Sequence, residues 1–215
     1  MGIVAVVIGG ALIGALAGGL VLLRSGETEV PATGQSSPTV AGSPPPSTAA
    51  TPGEPRPVIP LNAQASAVRP AVSKLACTQQ RNDFVATHLI DGDPQTGWGA
   101  GRGNGAGEWV EISFGEPVLL SRIGLTPGYN RVAPRSDQGC ATVSAFAFNR
   151  YVSRVRYRFD DGSDVVVDLP GVADVVWTDV AVRTETVVIE LLETVQPSGS
   201  DNDTILSDAY FEARG

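Results

Sequence analysis

The sequence predicts an all-β fold, a sandwich or barrel of short strands, for the C-terminal part of the chain. Past residue 105, apolar and polar residues alternate with a period of two, as they do along a half-buried strand. Turn residues separate these stretches, and no segment beyond residue 68 has a long helical stripe with caps. Short strands at this spacing are typical of a sandwich or barrel.

Four stretches predict strands most clearly. They are WVEISF (109–114), RVRYRF (154–159), TVVIELLETV (186–195) and ILSDAYFEA (205–213). The turn DDG after the second stretch predicts a tight hairpin into DVVVDL. RVRYRF places three arginines on one face, which we expect to be solvated and paired with carboxylates of neighbouring strands. The alternative is a site for an anionic glycan or phosphate.

Residues 1–24 predict a single transmembrane anchor helix. Residues 1–23 contain no charged side chain, and about 20 apolar residues match the thickness of a bilayer core. A cleaved signal peptide is the alternative, but it requires a basic start and a shorter apolar run. Gly10, Gly14 and Gly18 share one helix face, which permits a helix-mediated dimer. Glycine is also frequent in membrane helices generally, and we favour that explanation.

Residues 25–67 predict a disordered stalk rich in Pro, Ser, Thr and Ala, because they offer too little apolar area to form a core. Residues 68–215 then form the folded domain. We expect this domain to lie outside the cell, with the chain held in the cell membrane by a single pass. Cys77 and Cys140 are the only cysteines, and in an exported chain they predict one disulfide. The net charge of −8 argues against nucleic acid as a partner.

The segment HLIDGDPQTGW (88–98) is dense in oxygen-bearing side chains. A turn of this composition is either a plain turn or a calcium loop, because calcium prefers many oxygen ligands. The Gly-rich segment 99–109 leads into a strand rather than a helix, which argues against a dinucleotide-binding loop. The chain contains no GxSxG or HExxH motif, so we predict that it is not an enzyme.

Taken in order, these motifs resemble a known family. LIDGDPxTxW (89–98) resembles the early signature of discoidin-like domains, also called coagulation factor V/VIII type C or galactose-binding-like domains. GNGAGEWVEISF, PGYN, FNRYVSRVR, DDGS and DNDTILSDAYF are similar to the NADase-type glycan-binding subgroup of that family. The resemblance covers about residues 70–213. It implies a jelly-roll β-sandwich with a non-catalytic, carbohydrate-binding role at a bacterial cell surface.

The resemblance also implies candidate site residues. A structural Ca²⁺ is expected at Asp91, Asp93 and Thr96 of the early turn, together with Asp208, which stands where the family usually has Glu. Glycan recognition usually combines an aromatic ring with polar side chains at a loop rim. The residues that fit this pattern are Tyr129, Asn130 and Arg131, with Trp98, Asn149 and Arg150 as further candidates. Large aromatic residues more often lie in a core, and we assign that role to Trp109.

The sequence therefore predicts a membrane-anchored binding module displayed on a stalk. The expected partner is a glycan or another component of the cell envelope. The alternative is a structural or protein-interaction domain within an envelope complex, because one jelly-roll framework hosts many functions.

Overall fold

The structure, a computed structural model, describes residues 53–72, 77–79, 81–197 and 202–215. The predicted anchor and residues 25–52 of the predicted stalk lie outside these ranges. No helix within the described ranges is long and apolar enough to cross a membrane.

The strands are β1 Arg56–Val58, β2 Asn62–Ala65, β3 Trp98–Gly99, β4 Trp109–Leu125, β5 Val132–Arg135, β6 Ala141–Ser144, β7 Tyr151–Phe159, β8 Asp164–Asp168, β9 Val176–Val195, β10 Ile205–Leu206 and β11 Ala209–Ala213. Short 3₁₀ helices span Ala86–Leu89, Ser136–Gln138 and Ala145–Ala147.

Two long antiparallel strands, β4 and β9, organise the fold. Their register shifts between Ser113 and Val118 and again between Leu120 and Arg122, and such irregularities bend a strand. Beside the first half of β4 lies β2, and beside its second half lie β11 and then β1. The second half of β9 pairs with β7, which pairs with β8. The predicted all-β sandwich is confirmed, and β4 and β9 extend through it from one end to the other.

The inward face of β7 follows the predicted alternation. Val155 and Tyr157 are fully buried, and Phe159 is nearly so. The hairpin predicted at residues 160–162 connects β7 to β8, and Gly162 adopts a φ of 84°, which glycine tolerates without strain. The period of two thus locates this hairpin and its buried face.

The outward face of β7 carries a row of three arginines, Arg154, Arg156 and Arg158, which we call the arginine ladder. Arg154 Nε lies 2.6 Å from Asp168 Oδ1 on β8. Glu190 Oε2 on β9 lies 3.4 Å from Arg156 Nη1 and 3.7 Å from Arg158 Nε. The solvated, carboxylate-paired face expected from the sequence is therefore present.

The sandwich begins earlier in the chain than the sequence predicts. β1 pairs with β11, and β2 pairs with β4, where Ala63 is buried in the core. The predicted end of the stalk at residue 67 is therefore wrong, because residues 56–65 contribute strands. These short strands are stabilised by hydrogen bonds to β4 and β11, distant in sequence, and a Pro- and Ala-rich composition does not reveal such partners.

The positions of two tryptophans differ from the sequence-based assignment. Trp98, a glycan-site candidate, has no exposed surface, and its indole Nε1 donates a hydrogen bond of 2.9 Å to the Ala67 carbonyl. It lies in the core and is not a surface contact. Trp109, assigned to the core, is 36% exposed at the start of β4, where the neighbouring Val110 takes the inward position. The alternation of β4 decides this second placement.

Cys77 and Cys140 form the predicted disulfide. Cys140 lies in the turn between β5 and β6, a hairpin that pairs only with itself among the described strands. The disulfide therefore fastens the tip of this hairpin to the segment that precedes the first 3₁₀ helix.

Candidate functional site

A pocket of about 470 Å³ lies at one end of the sandwich, where the loops before β3 and after β4 meet. We call it the loop-end pocket. It is lined mainly by polar side chains on segments that are distant in sequence: Thr78, Arg81, Asn82, Asp83, His88, Gln95, Thr96 and Arg131, with Val132, Ala133 and Pro134 from β5. Its volume lies within the range of small-molecule binding pockets, roughly 300–1,000 Å³.

Tyr129 lies beneath this pocket rather than on its surface. Its ring is only 4% exposed and packs edge-on against Phe84. Its hydroxyl accepts hydrogen bonds from Asn82 Nδ2 at 3.2 Å and Arg131 Nη1 at 3.4 Å, and it donates to the Gln95 carbonyl at 3.3 Å. Tyr129 is therefore a positioning residue for three groups of the pocket wall, and it does not provide the exposed aromatic plate expected from the sequence.

A smaller cavity of about 150 Å³ adjoins the loop-end pocket and shares Asn82 and Arg131 with it. Tyr129 and Asn149 also line this cavity, which β5 and β6 cover. Asn149 is 7% exposed and donates a hydrogen bond of 3.0 Å from Nδ2 to the Ala145 carbonyl. The structure thus brings three of the predicted glycan-site residues together, with Arg131 between the two cavities.

The remaining candidates point elsewhere. Asn130 Nδ2 donates to the Ala173 carbonyl, and its backbone N–H donates to Ser207 Oγ. Arg150 donates from Nε to Asn202 Oδ1 at 2.9 Å. These bonds hold loops to one another, and neither residue lines the loop-end pocket or the smaller cavity.

Sequence reasoning missed most of the pocket wall. Asn82, Asp83 and Gln95 were not singled out, and His88 entered only as the first residue of the segment HLIDGDPQTGW (88–98). Gln95 lies within the DGDPQTGW motif, which was the one available signal. Asn82 and Asp83 precede any recognisable strand, so only the folded chain brings them beside Arg131.

The wall combines groups suited to sugar hydroxyls. His88 Nε2 lies 3.5 Å from Asp83 Oδ1, and Gln95 Oε1 accepts a hydrogen bond of 3.2 Å from the Val132 N–H. Guanidinium, amide, imidazole and carboxylate groups are thereby fixed around an open concave surface. Such an arrangement donates and accepts several hydrogen bonds at once, as a polyhydroxylated ligand requires.

The predicted cation turn is tightly hydrogen-bonded. Asp91 Oδ1 accepts from the Asp93 N–H at 2.9 Å, and Asp93 Oδ1 accepts from the Gln95 N–H at 2.9 Å. Thr96 Oγ1 donates to Asp91 Oδ2, 2.8 Å away. Gly92 adopts a φ of 73°, which lets the turn reverse between the two aspartates.

Asp208 is the buried acid of this region. Its side chain is almost wholly buried, and its Oδ1 has no hydrogen-bond partner among the described residues. Burial raises the pKa of the Asp208 carboxyl to about 6, and the negative charges of Asp91 and Asp93 add to the rise. The Tyr210 hydroxyl acts in the opposite direction by stabilising the ionised form.

These donors suit a hard cation in their chemistry. An unpartnered carboxylate oxygen that is buried near two further carboxylates is the kind of group that calcium satisfies. The described residues nevertheless contain no group of three or more acidic, His or Cys side chains arranged to hold a metal. Backbone carbonyls and water would therefore supply part of any coordination shell at Asp208.

The sequence matches no family model and no curated protein. Its fold is similar to solved structures of low sequence identity. One is the family 32 carbohydrate-binding module of Clostridium perfringens NanJ in complex with galactose, with 13% identity, a TM-score of 0.45, and coverage of 70% of this chain and 92% of that chain. Another is the C-terminal domain of a Bacteroides fragilis chitobiase, with 12% identity, a TM-score of 0.46, and coverage of 74% and 99%.

A third is a family 32 module from Clostridium perfringens in complex with GalNAc-β-1,3-galactose, with 12% identity and a TM-score of 0.45. It is matched over 70% of this chain and 93% of its own length. Galactose and GalNAc-β-1,3-galactose are ligands of those proteins.

Proposed function

We propose that this chain is a membrane-anchored, extracytoplasmic binding module that holds a cell-envelope or extracellular glycan in the loop-end pocket without catalysis. The observation that carries the proposal is the position of Arg131, whose guanidinium lies between two cavities and is oriented by the Tyr129 hydroxyl. The residue motifs that resemble discoidin-like glycan-binding domains support it. The NADase-type subgroup and the jelly-roll topology belong to the same proposal.

The test is binding of the full chain to a glycan array, followed by titration of the glycans that bind. Arg131→Ala removes a charged hydrogen-bond donor from the pocket and is expected to weaken binding about tenfold or more. The matched control is Arg102→Ala, because Arg102 lies in the Gly-rich loop and lines neither cavity. An array without binding, or equal binding by the two variants, would contradict the proposal.

The extracytoplasmic location is supported by the disulfide between Cys77 and Cys140, because such bonds persist in oxidising compartments. Residues 1–24 would hold the chain in the membrane. Alkylation of intact cells, followed by reduction and a second thiol label, tests this location. We expect the second label to react only after reduction, whereas two cysteines that are labelled directly would place the domain inside the cell.

We further propose that Asp91, Asp93, Thr96 and Asp208 contribute to a structural calcium site that fixes the turn beside the pocket. The support is the buried and unpartnered Asp208 Oδ1. Calcium should raise the melting temperature and a chelator should lower it, and Asp93→Ala should abolish both responses. A melting temperature that is the same with calcium and with chelator would leave the DGDP segment as a plain turn.

A protein-interaction role is the second candidate. The observation that favours it is the exposure of Ile59 and Leu61, at 87% and 75%, between β1 and β2. In this case a defined crosslinked complex should form in cells, survive Arg131→Ala, and be lost with the double change of Ile59 and Leu61 to Ser. Loss with Arg131→Ala alone would instead favour the glycan.

A further inference from the structure

A second groove lies on the sandwich away from the loop end. It has a volume of about 380 Å³, and Arg56, Arg183 and Arg214 line it. Leu119 on β4 connects two of them, because it pairs with Arg183 on β9 and its carbonyl accepts a hydrogen bond of 2.9 Å from the Arg214 N–H. Arg56 lies on β1 opposite Ala213, the residue before Arg214. The three arginines therefore come from adjoining strands, and we call this feature the basic groove.

Within the part of the chain that the structure describes, no acidic side chain pairs with the arginines of the basic groove, which Gly215 also lines. Four arginines of the described ranges make no side-chain hydrogen bond or ion pair, namely Arg56, Arg102, Arg183 and Arg214, and three of the four line this groove. The arginine ladder on β7 is the opposite case, since each of its guanidinium groups has a carboxylate within 3.7 Å. A cluster of unneutralised guanidinium groups stands out in a chain with a net charge of −8. Guanidinium is suited to planar or multidentate anions such as carboxylate and sulfate.

The floor of the basic groove is apolar. Val58, Pro117, Val118 and Leu119 line it, and Leu119 is 43% exposed. An apolar floor with a guanidinium rim matches a sugar ring that presents C–H groups on one side and an acidic substituent at its edge. A long polymer can also lie across a groove that is open at the surface.

We propose that the basic groove binds an acidic polysaccharide, one whose repeating sugar carries a carboxylate or sulfate group. The groove is a second site, independent of the loop-end pocket. Leu119 and the end of β4 at Leu125 are six residues apart, roughly 20 Å along the strand. The anionic ligand is attracted to the arginines against the net charge of the whole protein, so its binding weakens as salt is added.

The experiment measures binding of the full chain to polygalacturonate at low and high salt, with neutral dextran as the reference polymer. We expect salt-sensitive binding to polygalacturonate that exceeds binding to dextran. Changing Arg56, Arg183 and Arg214 together to Gln should weaken it about tenfold or more, and Arg183→Gln alone about threefold. Arg183→Gln keeps the test valid if the triple variant does not fold. Arg102→Gln is the matched control, because Arg102 is an exposed arginine that lies outside the groove and makes no ion pair in the described ranges. This variant should bind like the native chain.

Several outcomes would overturn the assignment. One is an absence of polygalacturonate binding, and another is an equal loss in Arg102→Gln. Tighter binding to phosphatidylglycerol vesicles than to polygalacturonate would identify a lipid surface as the partner instead. Arg131→Ala should leave polygalacturonate binding unchanged, so a loss there would move the acidic ligand to the loop-end pocket. A failure of the glycan array, in contrast, bears only on the loop-end pocket.

Discussion

The loop end and the outward face of β7 use polar side chains in opposite ways. On β7, Arg154 and Arg156 are matched by carboxylates on the two neighbouring strands, so the charges of this face neutralise one another. At the loop end, Asp208 Oδ1 and His88 Nδ1 are buried without a hydrogen-bond partner among the described residues. Regular strands place opposite charges side by side, whereas loops hold polar groups in positions that local pairing does not satisfy. Arg156 Nε on β7 also lacks a hydrogen bond among the described residues, but the Asp164 carboxylate lies 3.6 Å from it, so its charge is matched. We therefore expect a ligand at the loop end, where Asp208 Oδ1 and His88 Nδ1 stay unpaired.

Loss of the disulfide should produce the largest difference in stability between the loop end and β7. Cys140→Ser releases the tip of the β5–β6 hairpin from Cys77, and we expect it to lower the free energy of unfolding by about 2–4 kcal/mol. The local effect should be confined to the loop end. Hydrogen exchange should accelerate in Val132–Ser144, while β7 and β9 keep their protection.

The control for this prediction is the reduced native chain. It should show the same loss of stability and the same pattern of hydrogen exchange as Cys140→Ser. Equal acceleration of exchange in β7 and β9 would mean that the hairpin and the sandwich unfold as one unit, and the comparison would fail.

Asp208→Asn should have the second largest effect. The pKa of the Asp208 carboxyl is about 6 in the folded state and 3.8 ordinarily. Between these two pH values the carboxyl is therefore protonated in the folded protein and ionised in the unfolded chain. In metal-free protein this group contributes stability below pH 3.8, and the contribution is lost as the pH rises through 6. Asp208→Asn removes the buried charge and should raise stability at pH 7 by about 2–3 kcal/mol relative to the native chain, but not at pH 4.

Denaturant unfolding in chelator at pH 4, 5.5 and 7 measures this difference. With calcium in excess the order should reverse, because the native chain gains stability from the ion and Asp208→Asn does not. A constant difference across all three pH values would show that the Asp208 carboxyl does not titrate in this range.

A substitution in the arginine ladder should have the smallest effect on the free energy of unfolding. Arg156→Gln removes one partly exposed guanidinium. Its partner Asp164 is exposed, and its other partner Glu190 keeps Arg158 at 3.7 Å, so we expect a change within about 1 kcal/mol at low salt and less at high salt. Urea unfolding at two salt concentrations measures it. A loss larger than that for Cys140→Ser would contradict the contrast between the two regions.

The features that the sequence predicted correctly depend on contacts between residues that are close in the chain, and those it missed depend on distant residues. The β7–β8 hairpin and its two faces depend on neighbouring residues, so the alternation of RVRYRF and the DDG turn were sufficient. β1 and β2 depend on β11 and β4, and their Pro- and Ala-rich sequence resembles a linker until those partners are present. Trp98 is buried by pairing of β3 with β10, which is likewise a long-range contact.

The candidate site was predicted in part for the same reason. Tyr129 and Arg131 were predicted because one short motif contains both, and the structure places Arg131 in the pocket wall and the buried Tyr129 ring behind it. Asn82 comes from a segment without any recognisable pattern, and its contribution depends on a hydrogen bond to a residue 47 positions away. The basic groove was missed because its three arginines are scattered along the chain and are adjacent only across paired strands.

The pairing of β1 with β11 has a consequence for how this domain can be combined with other proteins. A side-chain carbon built on Gly53 would lie 3.2 Å from the carbonyl oxygen of Gly215, so the chain enters and leaves the sandwich at one point on its surface. A domain with this geometry can be spliced into a surface loop of a host protein without forcing the ends of that loop apart. It can also be circularly permuted by joining residues 53 and 215 through a short glycine bridge, with new ends opened at the hairpin turn near Gly162.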